Sequence, residues 1–563
     1  MALTETSPDD VAPATDAELP APPPPSLGTG AAGNDHKTVG TAFIALALVA
    51  LVAGGVVAIV LRAQLAGPDG DILTDRQYRT LLTYHGTILV FLFLIPAWVG
   101  IATAIVPLQI GASRLAFPRL QTMTFWLALV GTGLVVGSAF APGGKGLVTG
   151  WAFDAPIPER LTVRGDAIEF LLLGLVVVLV AAVLAMANLV TTVVQLRAKG
   201  LTTWRLPLFS WSILVSGIVI LLAAPVVVAA LGLLYADHHY GSRFFGGLTS
   251  SGAGNPLLWP RLFWFGAYPL LWALLLPVLG LAAEVVAVSA GRPLAEHRRT
   301  MVAVAAVGVL GFFGWGSEVR NLPRGQLLFA LGALAVLAAT AAVLLNILVT
   351  LRTAAQERGA EAVRDGLATS PMILIGGALL VLAAGLAAGA VSAVDATGIS
   401  HSSYWSVGQM HLLYFLPATI AVVAGVHYWG PKVWGRHLSP TMARVEALLL
   451  VGGGFLSFLP ALWLGAQDMR TQTSTYTSHE GWGLGNLAMS VGAAVIGLGA
   501  LVFVLDLLIT IAAHKGRPAD ADPWDGHTLE WTAPSPAPRH NFDQLPDVRS
   551  PHPALDLREA GGD

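Results

Sequence analysis

Twelve long apolar runs decide what this chain can fold into. A lipid hydrocarbon core about 30 Å thick needs roughly 20 apolar residues per crossing helix. Runs of that kind lie near 40–62, 81–108, 119–141, 166–196, 206–236, 258–289, 300–317, 326–351, 371–393, 405–430, 441–466 and 485–513. Of the 563 residues, 12% are charged, against roughly 25% in a soluble domain, so most of the surface faces lipid. The expectation is one all-α integral membrane domain over 39–514, a bundle of twelve transmembrane helices. Its many Gly and Ala residues suit close helix packing in lipid.

The flanking segments read differently. Residues 1–38 carry Asp9, Asp10, Asp16 and Glu18 and then Pro20, Pro22, Pro23, Pro24 and Pro25. They lack the basic start and apolar stretch of a secretory signal and are predicted to be a disordered tail. Residues 515–563 are polar and Pro-rich and receive the same reading. An even number of spans puts both tails on one side. The loops on that side are short and basic, with Arg114 and Arg119, Arg197, Lys199 and Arg205, Arg292, Arg298 and Arg299, Arg352, Arg358 and Arg364, and Lys432 and Arg436. The positive-inside rule therefore predicts a multi-pass protein of the plasma membrane with both termini cytoplasmic. A net charge of −3 points to no nucleic acid. The absence of Cys excludes disulfides, thiolate metal sites, thiol catalysis and a thioether-linked haem. No phosphate-cradling or nucleophile-elbow motif appears in a supporting context.

Two of the 14 His residues sit inside apolar runs near the same membrane face: His85, in Thr-Tyr-His-Gly, and His411, in Gln-Met-His-Leu-Leu-Tyr. An imidazole in a membrane interior costs free energy unless it is satisfied. Two that face each other at one depth can clamp a haem iron axially, with Gly86 leaving room for a flat macrocycle. Two polar residues hydrogen-bonded between helices would account for them equally well on the residues alone. Near the opposite ends of their helices, Glu284 and His427 are expected to snorkel toward water.

Several motifs in a fixed order add to this. Tyr84-His85-Gly86, Phe93-Leu-Ile-Pro-Ala, Val106-Pro-Leu-Gln-Ile-Gly-Ala, Ala116-Phe-Pro-Arg-Leu and Phe125-Trp126 resemble the second and third helices of haem–copper oxidase subunit I. Pro225-Val226, Asp237, Phe244-Phe245, Pro256, Leu262-Phe-Trp-Phe265, Pro269 and Leu276-Pro-Val-Leu-Gly280 continue the resemblance, and Asp395, His401, Tyr404, His411 and Tyr428-Trp-Gly-Pro-Lys432 extend it. It runs from about 40 to 510. It implies twelve helices and one low-spin haem, b-type by preference, held by His85 and His411.

The resemblance fails where the family reduces oxygen. The position of the high-spin haem ligand is Gln409, and the three copper-ligand positions are Tyr268, Ser317 and Glu318. The family's redox tyrosine corresponds to Trp272 and its proton-delivering glutamate to Leu270. Copper favours imidazole nitrogen, and all four histidines are replaced, so no copper is expected. Tyr268, Trp272, Ser317 and Gln409, with Glu318 the outlying member, are predicted to cluster around a pocket too small for a second haem, their polar groups hydrogen-bonded to one another. The family's two propionate-binding arginines become Thr471 and Gln472, leaving Arg470, one residue early, and His401 as propionate contacts. The sequence thus predicts a membrane b-type cytochrome that transfers electrons in a respiratory complex, with a subunit II-like cupredoxin or a cytochrome as partner. The alternatives are a terminal oxidase or nitric oxide reductase with unusual ligands, and a haem-free structural or transport subunit.

Overall fold

A computed structural model describes residues 34–142, 147, 150–152, 166–246, 254–318, 326–395 and 403–561, with the side chains of 317, 318 and 326 excepted. The helices of the bundle are α1 (His36–Gln64), α2 (Asp75–Gln109), α3 (Pro118–Ser138), α4 (Ala167–Gln195), α5 (Leu208–His239), α6 (Leu258–Ser289), α7 (His297–Leu310), α8 (Gln326–Arg358), α9 (Ser370–Val394), α10 (Tyr404–Trp434), α11 (Pro440–Ala466) and α12 (Gly483–Ala512), with short helices at Ala360–Leu367 and Pro553–Gly561 outside it. All but α7 are long and apolar enough to cross a membrane. The seventh expected span is helical only to Leu310, then turns and continues as a 3₁₀ segment, Trp315–Glu318. Gly311, Gly314 and Gly316 fall within that break, and glycine is a poor helix former.

Local sequence sets the helix starts. Thr74 and Gln77 form a capping box before α2. The Ser403 and Ser439 side chains accept the first free N–H groups of α10 and α11. Apart from α2 and α3, consecutive helices pack side by side, and α1 returns against α12. The apolar windows of α2, α6 and α10 are 94%, 94% and 78% buried, against 28–33% for α1, α3, α8 and α12. The three central helices are those that carry His85, Tyr268 with Trp272, and His411 with Gln409. Where α3 meets α4, a Cβ on Gly131 would lie 2.9 Å from the Gly174 carbonyl oxygen, so glycine is what lets these backbones touch.

The start of α1 and the C-terminal segment meet at one face of the bundle, and here the sequence expectation fails. Residues 1–33 lie outside the described residues, but 36–38 already belong to α1, and His36 and Lys37 are buried. The C-terminal segment is placed against the helix ends through residue 561 instead of trailing as a disordered tail. Leu529, Glu530, Trp531 and Asn541 are buried there. Lys37 Nζ donates to Asn541 Oδ1 at 2.9 Å, and Lys432 Nζ donates to the carbonyls of Ala521 (2.9 Å) and Ala533 (2.6 Å) while lying 5.1 Å from the centre of the Trp531 ring. This segment has no apolar period to betray it. Its partners are side chains and helix ends distant in the sequence.

Candidate functional site

Two prolines shape the centre of the bundle. Proline removes an N–H and crowds the carbonyl one turn back, so the turn before it must loosen. Immediately before Ile95-Pro96 the chain runs as a π-helix over Ile88–Leu94, and before Leu416-Pro417 it does so over His411–Phe415. Such widened turns are frequent at functional positions. One begins three residues after His85 and the other begins at His411, so the two histidine positions share a backbone device on different helices.

The imidazoles of His85 and His411 face each other with ring centres 6.5 Å apart and planes 12° from parallel. Each is oriented by a backbone carbonyl: His85 Nδ1 lies 3.3 Å from the Gly54 oxygen of α1, and His411 Nδ1 lies 2.7 Å from the Val407 oxygen one turn earlier. With Nδ1 as donor in both rings, Nε2 is left as the free, lone-pair nitrogen, the arrangement typical of metal-ligating histidines. Phe458 packs parallel to the His411 ring at 4.3 Å and holds its plane. Metal–imidazole bonds of about 2.0–2.1 Å, with roughly 1.1 Å more from nitrogen to ring centre, put two collinear axial imidazoles about 6.3 Å apart centre to centre. The donor set and the spacing therefore fit a single iron between the rings. A hydrogen bond joining the two rings directly would need nitrogens about 3 Å apart and ring centres correspondingly closer.

The role expected for Gly86 is different in the structure. A Cβ there would stand 2.7 Å from the Trp151 Cβ. The missing side chain makes room for Trp151, whose ring packs edge-on against Phe263, Trp264 and Phe415, and not for a macrocycle.

Of the positions that the sequence reading sets around the oxygen-reducing site, Tyr268 and Trp272 lie one turn apart on α6 and pack edge to face at 6.4 Å. Trp272 is wholly buried and meets Tyr414 of α10 at 5.1 Å. The Tyr268 hydroxyl end reaches the turn after α7, where a Cβ on Gly314 would lie 2.6 Å away. Gln409 does not bond within this group as expected. Its side-chain oxygen accepts from Ser392 Oγ of α9 at 2.5 Å, and Ser392 in turn accepts from Trp405 Nε1 at 2.8 Å. A residue two positions from His411 is turned about 200° round the helix, which carries Gln409 to the α9 side. The Trp272 indole N–H has no partner among the described residues. Ser317 and Glu318 close the 3₁₀ segment, and their side chains lie outside the described residues.

His401 also lies outside the described residues. Arg470 forms an antiparallel bridge through its backbone with Ser403, at the head of α10, and is exposed. Two arginines that the sequence reading passed over lie deeper on that side. Arg62 is eight residues beyond Gly54 on α1, about 12 Å along the axis, and donates to Asn486 Oδ1 at 2.9 Å and to the Tyr404 hydroxyl at 3.5 Å. Arg79, six residues before His85, donates to Gln472 Oε1 at 3.2 Å. The signal for both was a cation at the end of an apolar run, which any membrane helix carries.

Glu284 and His427 do not snorkel. Glu284 accepts from the Phe209 N–H at 2.7 Å and from Gln109 Nε2 at 2.8 Å, and the same amide nitrogen donates to Glu530 Oε1 at 3.0 Å. Burial, more than any neighbour, raises the Glu530 carboxyl above the usual carboxylate range. His427 pairs with Glu446.

A family profile described as "Cytochrome C and Quinol oxidase polypeptide I" matches residues 38–495. The chain belongs to this family. Among its relatives is the "Probable cytochrome c oxidase subunit 1-alpha" of Streptomyces coelicolor, 32% identical over 93% of this chain and 88% of that one. Another is the cytochrome c oxidase subunit 1 of Bacillus subtilis, 31% identical over 94% of this chain and 82% of that one. The fold matches a cryo-EM structure of a heme-copper terminal oxidase dimer with a TM-score of 0.70 at 16% identity, covering 93% of this chain and 89% of that one. The chain is thus a multi-pass, all-α membrane subunit of the haem–copper oxidase subunit I family. Members of this family bind haem and work with other subunits in respiratory complexes.

Proposed function

We propose that this subunit I homologue is a b-type membrane cytochrome that carries electrons through one low-spin haem held by His85 and His411, its oxygen-reducing site lost. The observation that carries the proposal is the pair of near-parallel imidazoles, 6.5 Å between centres, each with Nδ1 held by a backbone carbonyl. When bound, a bis-His haem has no open coordination position and supplies one-electron outer-sphere transfer. The chain's own part is to fix both rings, to exclude water with Phe458 and Phe415, and to offer cations for the propionates. Arg62 and Arg79 suit that last role alongside Arg470 and His401, because they stand on the side of the bundle toward which α1 and α2 extend past the rings. The reading is supported by Tyr268, Trp272 and Tyr414, whose aromatic rings pack together near the position that the resemblance sets for oxygen reduction, and by the lack of His at 268, 317, 318 and 409. Both termini are assigned to the cytoplasmic side, supported by the basic loops and by the meeting of α1 with the C-terminal segment. The electron partner is a subunit II-like cupredoxin or a cytochrome docking on the opposite face.

The test is a reduced-minus-oxidised spectrum of the purified protein with and without CO, together with iron and copper content. One low-spin haem, no CO shift and no copper are expected. A CO-binding haem with one copper per chain would sink the proposal. That result would favour a working terminal oxidase with unusual ligands, the reading supported by relatives named cytochrome c oxidase subunit 1. A protein purified without haem from haem-replete cells would favour a structural or transport subunit.

A further inference from the structure

At the face where the start of α1 meets the C-terminal segment, three helices each bring one metal-ligating side chain to a single buried point. His427 of α10, Glu446 of α11 and Asp506 of α12 are 2%, 0% and 5% exposed. One ligand atom from each lies within 4.8 Å of the other two. His427 Nε2 is 2.9 Å from Glu446 Oε2. Asp506 accepts the Ser439 N–H at 3.0 Å through Oδ2 and lies 3.5 Å from the Thr510 hydroxyl through Oδ1. The second Glu446 oxygen, Oε1, is buried with no hydrogen-bond partner among the described residues.

The charges do not balance within the protein. Two carboxylates share a buried site with one imidazole, and no Lys or Arg among the described residues pairs with either. Burying an unpaired carboxylate oxygen is costly, and burying two like charges together is more so. One divalent cation removes the imbalance: neutral imidazole and two carboxylates sum to −2. A mixed nitrogen–oxygen set of this kind suits zinc, at bond lengths of about 2.0–2.2 Å, better than calcium or magnesium, which take oxygen alone. In a tetrahedral site with such bonds neighbouring ligand atoms stand about 3.4 Å apart, so the observed spread closes with small side-chain rotations. We propose that His427, Glu446 and Asp506 form a structural binding site for a divalent transition-metal ion, zinc by preference, that staples α10, α11 and α12 together at the tail face. Glu446 Oε1 or a water completes the fourth position. The site is separate from the His85–His411 pair and does not depend on how that pair is read.

The full-length protein in detergent is loaded with zinc, dialysed against a weak chelator, and assayed for metal content, thermal midpoint and zinc X-ray absorption. The expected result is zinc on the order of one per chain, in an all nitrogen–oxygen shell at about 2.0–2.2 Å with a single imidazole, and a midpoint that rises with zinc. Glu446→Gln and Asp506→Asn, which preserve size, are each expected to lose most of the metal and all of the zinc-dependent midpoint rise. Wild-type protein that retains no zinc overturns the proposal. Zinc retained equally by a folded variant, or a shell with two or more imidazoles, also overturns it. The latter would move the metal to the separate cluster of His297, His527 and His552, whose rings meet at 5.7 and 5.8 Å. Should both variants fail to fold, the wild-type absorption spectrum alone decides.

Discussion

The His85–His411 pair and the Tyr268–Trp272 pair lie in the same three-helix centre, and they handle space in opposite ways. At the first, two imidazoles stand with planes 12° apart and a gap between them that fits one ligated atom. Backbone carbonyls and Phe458 keep the rings from turning in to meet each other. At the second, three aromatic rings pack edge to face at 5.1 and 6.4 Å. Rings held by backbone carbonyls keep a gap between them, whereas large side chains that meet edge to face fill theirs. Trp272 is wholly buried there, and its indole N–H has no hydrogen-bond partner among the described residues.

The largest effect that would sharpen this contrast is at the histidines. His85→Ala or His411→Ala should abolish the reduced α-band of the purified protein, since one axial imidazole cannot sustain a six-coordinate low-spin iron. A variant that kept the unaltered band would break the assignment. Trp272→Ala comes next. Emptying a fully buried Trp costs about 3–5 kcal/mol, read as a lower thermal midpoint, while the α-band should stay in place. If the band vanished along with the midpoint, the two sites would be one unit.

A third prediction concerns the tail face, which frames both sites. Burial pushes the His527 and His552 imidazoles down, to about 3 and about 4. Both are therefore neutral in the folded state, whereas the unfolded segment titrates near 6.5. Below about 6.5 the undocked segment binds more protons than the docked one, so docking is strongest above that pH and weakens as pH falls toward 4. Limited proteolysis of residues 515–561 should be slow at pH 7.5 and accelerate by pH 5, with the haem spectrum unchanged over the same interval. Protection that is flat across that range would count against neutral burial of these rings. The smallest effect belongs to Gln409→Leu. It removes the bond to Ser392, worth about 1 kcal/mol, and should leave the haem spectrum as it was. A shifted α-band there would tie Gln409 to the cofactor after all.

The legible part of this molecule was whatever repeats or stands out within a single helix. Apolar runs located eleven crossing helices, and two histidines within such runs marked the pair that the fold brings face to face. Missed features have partners far away in the chain. Glu284 and His427 looked like helix-end residues seeking water because Gln109, Glu530 and Glu446 could not be placed beside them. Gly86 was read against a cofactor when its neighbour is Trp151, 65 positions on. Gln409 was assigned to the emptied cavity because the resemblance sets the high-spin haem ligand at that position, whereas its side chain bonds to Ser392 of α9, seventeen residues away. The Pro-rich C-terminal segment looked structureless because its order comes from the helix ends it covers.

That covering segment also sets a timetable for biosynthesis. His36 Nε2, at the start of the first helix, lies 3.0 Å from Asn541 Oδ1, 505 residues later, and the Gln109–Glu530 contact spans 421. Helices enter a membrane in the order in which they are made. The first helix is therefore inserted long before the residue that pairs with its leading end leaves the ribosome. Until then its buried His36 and Lys37 lie open to water, chaperones and the insertion machinery. The segment made after α12 seals the bundle, so a chain ending soon after α12 would insert every helix from α1 to α12 and still present an unfinished face to quality control.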